Sequence, residues 1–208
     1  MLQIIPALLV AITVVIQCLA VQMSRYRLSR MNARPPHHGL ALMSGMLAAA
    51  AIILRLYQND SAVGVLFMTI MTGCMTLMTL TDAASCHLPR PFTIMYLISG
   101  SAFRLWQGDW LTGLCSAGFW FLLLLLFRQY TSYRRKTETI GLGDVFLIAG
   151  IAIWSPPGDI PWIVATAAGG ALLYLWCNRQ RRITRELPFG PFLCASQYAF
   201  TFYPGGLW

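Results

Sequence analysis

Ile140-Gly141-Leu142-Gly143-Asp144-Val145-Phe146-Leu147 puts a carboxylate directly after two glycines, at the head of an apolar run reaching about residue 155. An acid at that place needs a reason. The chain holds only seven Asp and Glu among 208 residues, and a carboxylate beside hydrocarbon is costly and usually functional. A second acid, Asp82, closes another apolar run in Thr81-Asp82-Ala83-Ala84-Ser85-Cys86-His87-Leu88-Pro89. The two read as parts of one site at a membrane edge.

Composition sets the class. With 57% hydrophobic and 11% charged residues, the chain is far from an ordinary soluble domain, in which about a quarter of residues are charged. The expectation is an all-α, polytopic membrane bundle forming a single domain over 1–208. A bilayer span takes roughly 20 residues, and about eight segments can be marked: about 2–23, 40–57, 61–81, 91–106, 110–128, 142–155, 160–177 and 189–204. The first run has no basic residue ahead of it and several behind it, the reverse of a cleaved export signal, so it is expected to remain as a helix.

The net charge of +8 comes from short loops. Thirteen of the 15 Lys and Arg follow the first, third, fifth and seventh segments, leaving Arg55 and Arg104 for the other side. By the positive-inside rule these loops are cytoplasmic, including a short basic one at about 24–39, and both termini lie outside the cytoplasm. Contact with anionic lipid headgroups explains the charge better than nucleic acid does. Five of the seven tryptophans, Trp106, Trp110, Trp154, Trp162 and Trp208, fall at the opposite ends, where an amphipathic ring suits the headgroup level. Asp82 and Asp144 then share the cytoplasmic boundary.

Thr69, Thr72, Thr76, Thr79 and Asp82 recur at three- and four-residue intervals, one helix face expected to point into the bundle. Each threonine alone is equally well explained by a bond to its own helix's carbonyls. The six cysteines show no metal-ligand spacing and read as small buried hydrophobes. His37 and His38 are adjacent, point apart and lack partner ligands, so neither a metal nor another cofactor is expected.

Two carboxylates held close in a poorly hydrated place keep one proton between them. Such a pair hydrolyses a peptide bond without metal or covalent intermediate: the ionised acid draws a proton from water and the protonated one polarises the carbonyl. The third and sixth segments are expected to pack so that both acids reach one water. Gly141 and Gly143, without Cβ atoms, allow close approach of helices and of a substrate backbone. Asp144 taken singly also fits a helix N-cap.

The residues resemble a family. Gly141-Leu142-Gly143-Asp144 looks like the signature of GxGD-type intramembrane aspartyl proteases. Asp82 with Leu88-Pro89 looks like the companion motif of their prepilin peptidase (type IV leader peptidase) branch, and Pro188-Phe189-Gly190-Pro191-Phe192-Leu193 is similar to the segment opening the last helix in bacterial members. The resemblance implies an inner-membrane endopeptidase, with Asp82 and Asp144 as the catalytic pair and Gly141 and Gly143 shaping access. Its substrate would be the short basic leader of type IV prepilins or pseudopilins, cut on the cytoplasmic side. Glu138 and Glu186 are the other cytoplasmic acids and candidates to receive leader charges, though solvated pairing with nearby arginines explains them as well.

Arg90 and Phe146 depart from the family pattern, which often has an acidic or amide residue and a lysine there. The cysteine tetrad that many relatives carry in an enlarged first cytoplasmic loop is absent from 24–39. Cleavage without N-methylation is therefore expected. Three other readings compete: a transporter or channel using Asp82 and Asp144 as an ion or proton relay, an inactive assembly subunit, and a cysteine peptidase using Cys86 and His87.

Overall fold

A computed structural model describes residues 4–31, 38–57, 61–135, 141–178 and 187–202. Among them the chain forms eight helices and no strand: α1 (Ile4–Arg30), α2 (His38–Tyr57), α3 (Ala62–Ser85), α4 (Arg90–Gln107), α5 (Trp110–Arg135), α6 (Leu142–Trp154), α7 (Ile160–Cys177) and α8 (Gly190–Thr201). Five of these, α1, α2, α3, α5 and α7, are long and apolar enough to cross a bilayer. The protein is a polytopic helical membrane protein. Glu138, Glu186, Trp208 and the stretch 34–37 lie outside the described residues.

Local chemistry explains where the helices near the two acids begin and end. Ser61 caps α3 by accepting the Gly64 N–H at 3.1 Å, and Cys86 ends it in the left-handed region at φ 51°. Pro89 and Pro91 then bar continuation and open α4. For α6, Gly141 is the extended residue before the first turn, and Ser155 with Pro156 and Pro157 stops it after 13 residues. That is about 20 Å of helix, short of a hydrocarbon core of about 30 Å. At 12 residues α8 is shorter still.

The long helices overrun the expected ends on the basic side. α1 continues to Arg30, so the expected loop at 24–39 begins as helix, and α5 runs to Arg135 rather than 128. Cations there complement the carbonyl end of a helix, and the Arg27 guanidinium also lies 4.5 Å over the Phe92 ring of α4. That contact brings the basic end of α1 to the end of α4 next to Asp82.

α3 is the hub, packed against α1, α2, α4 and α8. Its Met68, Met71, Met75 and Met78 are fully buried, pliable side chains that fill the irregular space between crossing helices. For Thr69 and Thr72 both readings hold. Thr69 donates to its own helix at Val65 O (2.9 Å) and lies 3.1 Å from Thr13 Oγ1 of α1. Thr72 donates to Thr69 O and accepts from Gln17 Nε2 at 3.2 Å. Thr69, Thr72, Thr76 and Asp82 are buried and Thr79 is half-buried.

α6 is almost wholly enclosed from Val145 to Trp154, held by α4, α5 and α8. It meets α4 closely: a Cβ on Gly150 would stand 2.5 Å from Tyr96 Cδ1, and one on Gly100 would stand 2.8 Å from Ile153 Cγ2. Trp154 corrects the expectation of a headgroup anchor. It is fully buried, stacks on Phe103 with centroids 5.2 Å apart and donates its indole N–H to Tyr96 O at 3.1 Å. Trp106, Trp110 and Trp162 do stay exposed. Beyond Trp154, Arg104 of α4 fastens the helix end, donating to Ile153 O (2.8 Å) and Ser155 O (3.0 Å).

The cysteines also divide. Cys74 and Cys194 are buried and Cys86 half-buried, but Cys18, Cys115 and Cys177 are exposed on helix surfaces. In a membrane protein the outward face is as apolar as the inward one, so an apolar neighbourhood in the sequence does not imply burial.

Candidate active site

Asp82 occupies the last turn of α3 and Asp144 the first turn of α6. Asp82 is 4% exposed and Asp144 is half-buried. Asp144 lies within electrostatic range of Asp82, and Cys194, on the first turns of α8, is within range of both. The expectation that α3 and α6 pack directly on each other is corrected: α4 and α8 each pack against both and bridge them. The acids face each other's field from two helix ends that these elements bridge.

Three stretches distant in sequence converge here. Leu88, in the turn after α3, packs onto Gly143, where a Cβ would lie 2.7 Å from Leu88 Cβ. At Gly141 a Cβ would meet Asp144 Oδ2 at 3.3 Å, so that carboxyl folds back over the glycine. From the third stretch, the Gly190 N–H donates to Asp82 Oδ2 at 2.8 Å. That amide is one of the unpaired donors opening a helix. A Cβ on Gly190 would stand 2.7 Å from the same oxygen. His87 lies within electrostatic range of Asp82 and is exposed.

Residues 69–176 match the type IV leader peptidase family. The chain belongs to that family. The matched stretch runs from the middle of α3 to the end of α7 and contains both acids and both glycines of this leader peptidase family member. The chain is also 33% identical over 175 residues to the prepilin leader peptidase/N-methyltransferase of Burkholderia pseudomallei, in strains 1026b and K96243. That similarity covers 79% of this chain and 53% of the relatives, so the chain spans about half the length of the curated relatives it matches. No solved structure matches it.

Of the residues singled out from the sequence of this family member, Asp82, Asp144, Gly141 and Gly143 come together, while Glu138 and Glu186 lie outside the described residues. The two departures from the family pattern do not crowd the acids. Arg90 is exposed at the start of α4. Phe146 meets Phe121 of α5 at 5.2 Å between centroids, and two residues along a helix turn its side chain about 200° from Asp144. Phe146 lines an apolar cleft of α4, α5 and α6 with Leu97, Leu114, Phe121 and Ile153, on the face of α6 away from Asp144. In the sequence, Pro188 to Leu193 stands out only as a segment similar to the family's, and the Gly190 amide is not visible there. The available signal was a glycine between Pro188 and Pro191, marking a helix start with an uncovered backbone.

Proposed function

We propose that this family member is an aspartic endopeptidase that removes the short basic leader from type IV prepilins or pseudopilins, by water activated between Asp82 and Asp144. The observation that carries the reading is that the two acids sit at helix ends within electrostatic range of each other, with those ends joined by the Leu88–Gly143 contact. Acids of a relay tend to lie near the bilayer midplane, whereas these two sit at the ends of their helices.

The chemistry needs one proton and one water. The anionic carboxylate takes a proton from water as its oxygen bonds to the scissile carbonyl carbon, while the proton on the other carboxyl hydrogen-bonds to the carbonyl oxygen. Collapse of the tetrahedral adduct breaks the C–N bond. The proton taken from water passes to the leaving nitrogen, so the pair ends with one proton, as it began.

We place the site at the cytoplasmic face of the inner membrane. The contact of Arg27 with Phe92 puts the basic end of α1 beside the Asp82 end of α3 and supports this orientation. In this reading both termini lie outside the cytoplasm, the substrate's apolar body meets the bundle from lipid, and the new amino terminus is left unmethylated. Co-expression with a prepilin tests cleavage: Asp82→Asn and Asp144→Asn should each leave the precursor uncut, and normal processing by either ends the proposal. The mass of a matured pilin reports the cut position and the state of its amino terminus together.

A further inference from the structure

We propose that Gly190 is the positioning residue of the acid pair: its backbone N–H holds Asp82 as the anion that draws the proton from water, leaving Asp144 to carry the proton that polarises the carbonyl. This rests on the endopeptidase reading and goes beyond it, because the reading itself treats the two acids as interchangeable. The family match ends at residue 176, so Gly190 stands outside it.

The asymmetry is geometric. Asp82 receives the Gly190 N–H at 2.8 Å in a buried setting. Among the described residues no N–H is hydrogen-bonded to the Asp144 carboxyl, which folds over Gly141 instead. A hydrogen bond donated to a carboxylate favours the charged form over the neutral one. The bond occupies Oδ2 and leaves Oδ1 for water. The other titratable groups facing Asp82 are Asp144 from α6, Cys194 from α8 and His87 just past α3. None of them donates a hydrogen bond to Asp82.

Glycine is required at 190 for a second reason. With its Cβ position 2.7 Å from Oδ2 and 3.3 Å from Asp82 Cβ, any side chain displaces the carboxylate that the amide holds. Pro191 fixes the next residue at the helix start, so the amide has little freedom to swing away.

The test uses the full chain in lipid vesicles with a prepilin. Replacing Gly190 by glycolate turns the amide into an ester, deleting the N–H while keeping the shape. Loss of one charge-assisted hydrogen bond should lower kcat about tenfold or more with KM within about twofold. An ester chain that retains the unsubstituted kcat overturns the assignment. Gly190→Ala supplies a measure independent of cleavage. Its loss of thermal stability is expected to shrink to less than half in an Asp82→Ala background, where the carboxyl atoms at 2.7 and 3.2 Å are gone and only the Cβ at 3.3 Å remains. An equal loss in both backgrounds overturns the contact. That cycle reads only stability, so it holds its meaning even if the unsubstituted chain cuts no pilin, a result that would count against the endopeptidase reading instead.

Discussion

Leu88 stands where a side chain on Gly143 would have to go, its Cβ only 2.7 Å from that position. The turn that ends one acid-bearing helix is therefore seated on the glycine that opens the other. This contact couples the registers of α3 and α6, both of which pack against α4 and α8.

Gly143→Ala should consequently destabilise the protein. The obstructing atom is Leu88 Cβ, next to the backbone, and cannot rotate aside, so the cost is that of an overpacked core, about 1–3 kcal/mol. Gly169→Ala in α7 is the matched control: nothing lies within 4 Å of its Cβ position, and alanine there should be neutral or slightly stabilising. Thermal unfolding in detergent separates the two, and cleavage should fall with the first variant alone.

Arg104 should matter more than its ion pair. It is 7% exposed and serves two carbonyls at the end of α6, whereas its partner Asp109, 3.6 Å away, is 53% exposed. Arg104→Gln leaves at least one of those carbonyls without its donor and should cost about 2–3 kcal/mol. Arg104→Lys should restore little, since an ammonium lacks the planar fork. Asp109→Asn should change stability by less than about 1 kcal/mol. Equal losses for Arg104→Gln and Asp109→Asn would assign the effect to the surface pair.

Tyr96→Phe removes a single hydroxyl that donates to Gln197 Oε1 at 2.6 Å, both residues being buried. With the ring packing against Trp154 kept, the change isolates one hydrogen bond between α4 and α8. A loss of about 1–2 kcal/mol is expected. Unchanged stability would mean that Gln197 finds another partner.

Cys86 can report the orientation of the membrane protein. It is half-buried at the end of α3, close to Asp82. In a chain retaining Cys86 as its sole cysteine, a membrane-impermeant maleimide should label inverted inner-membrane vesicles and leave intact spheroplasts unlabelled. The opposite pattern places the acids on the periplasmic side.

Much was legible in the sequence by itself. Apolar runs and turn chemistry determined the eight helices found among the described residues, because hydrocarbon requires each backbone segment to satisfy its own hydrogen bonds and proline and glycine punctuate the breaks. The scarcity of acids singled out Asp82 and Asp144 before any geometry was known. Only the tertiary structure decided which side of each helix faces inward. The exposed Cys18, Cys115 and Cys177 and the buried Trp154 show why, since lipid and core are equally apolar to a hydropathy pattern. It also decided that α4 and α8 bridge the acid-bearing helices, and that a main-chain amide 108 residues along the chain reaches Asp82. A backbone N–H carries no side-chain signature, so its aim at a carboxylate is set by packing alone.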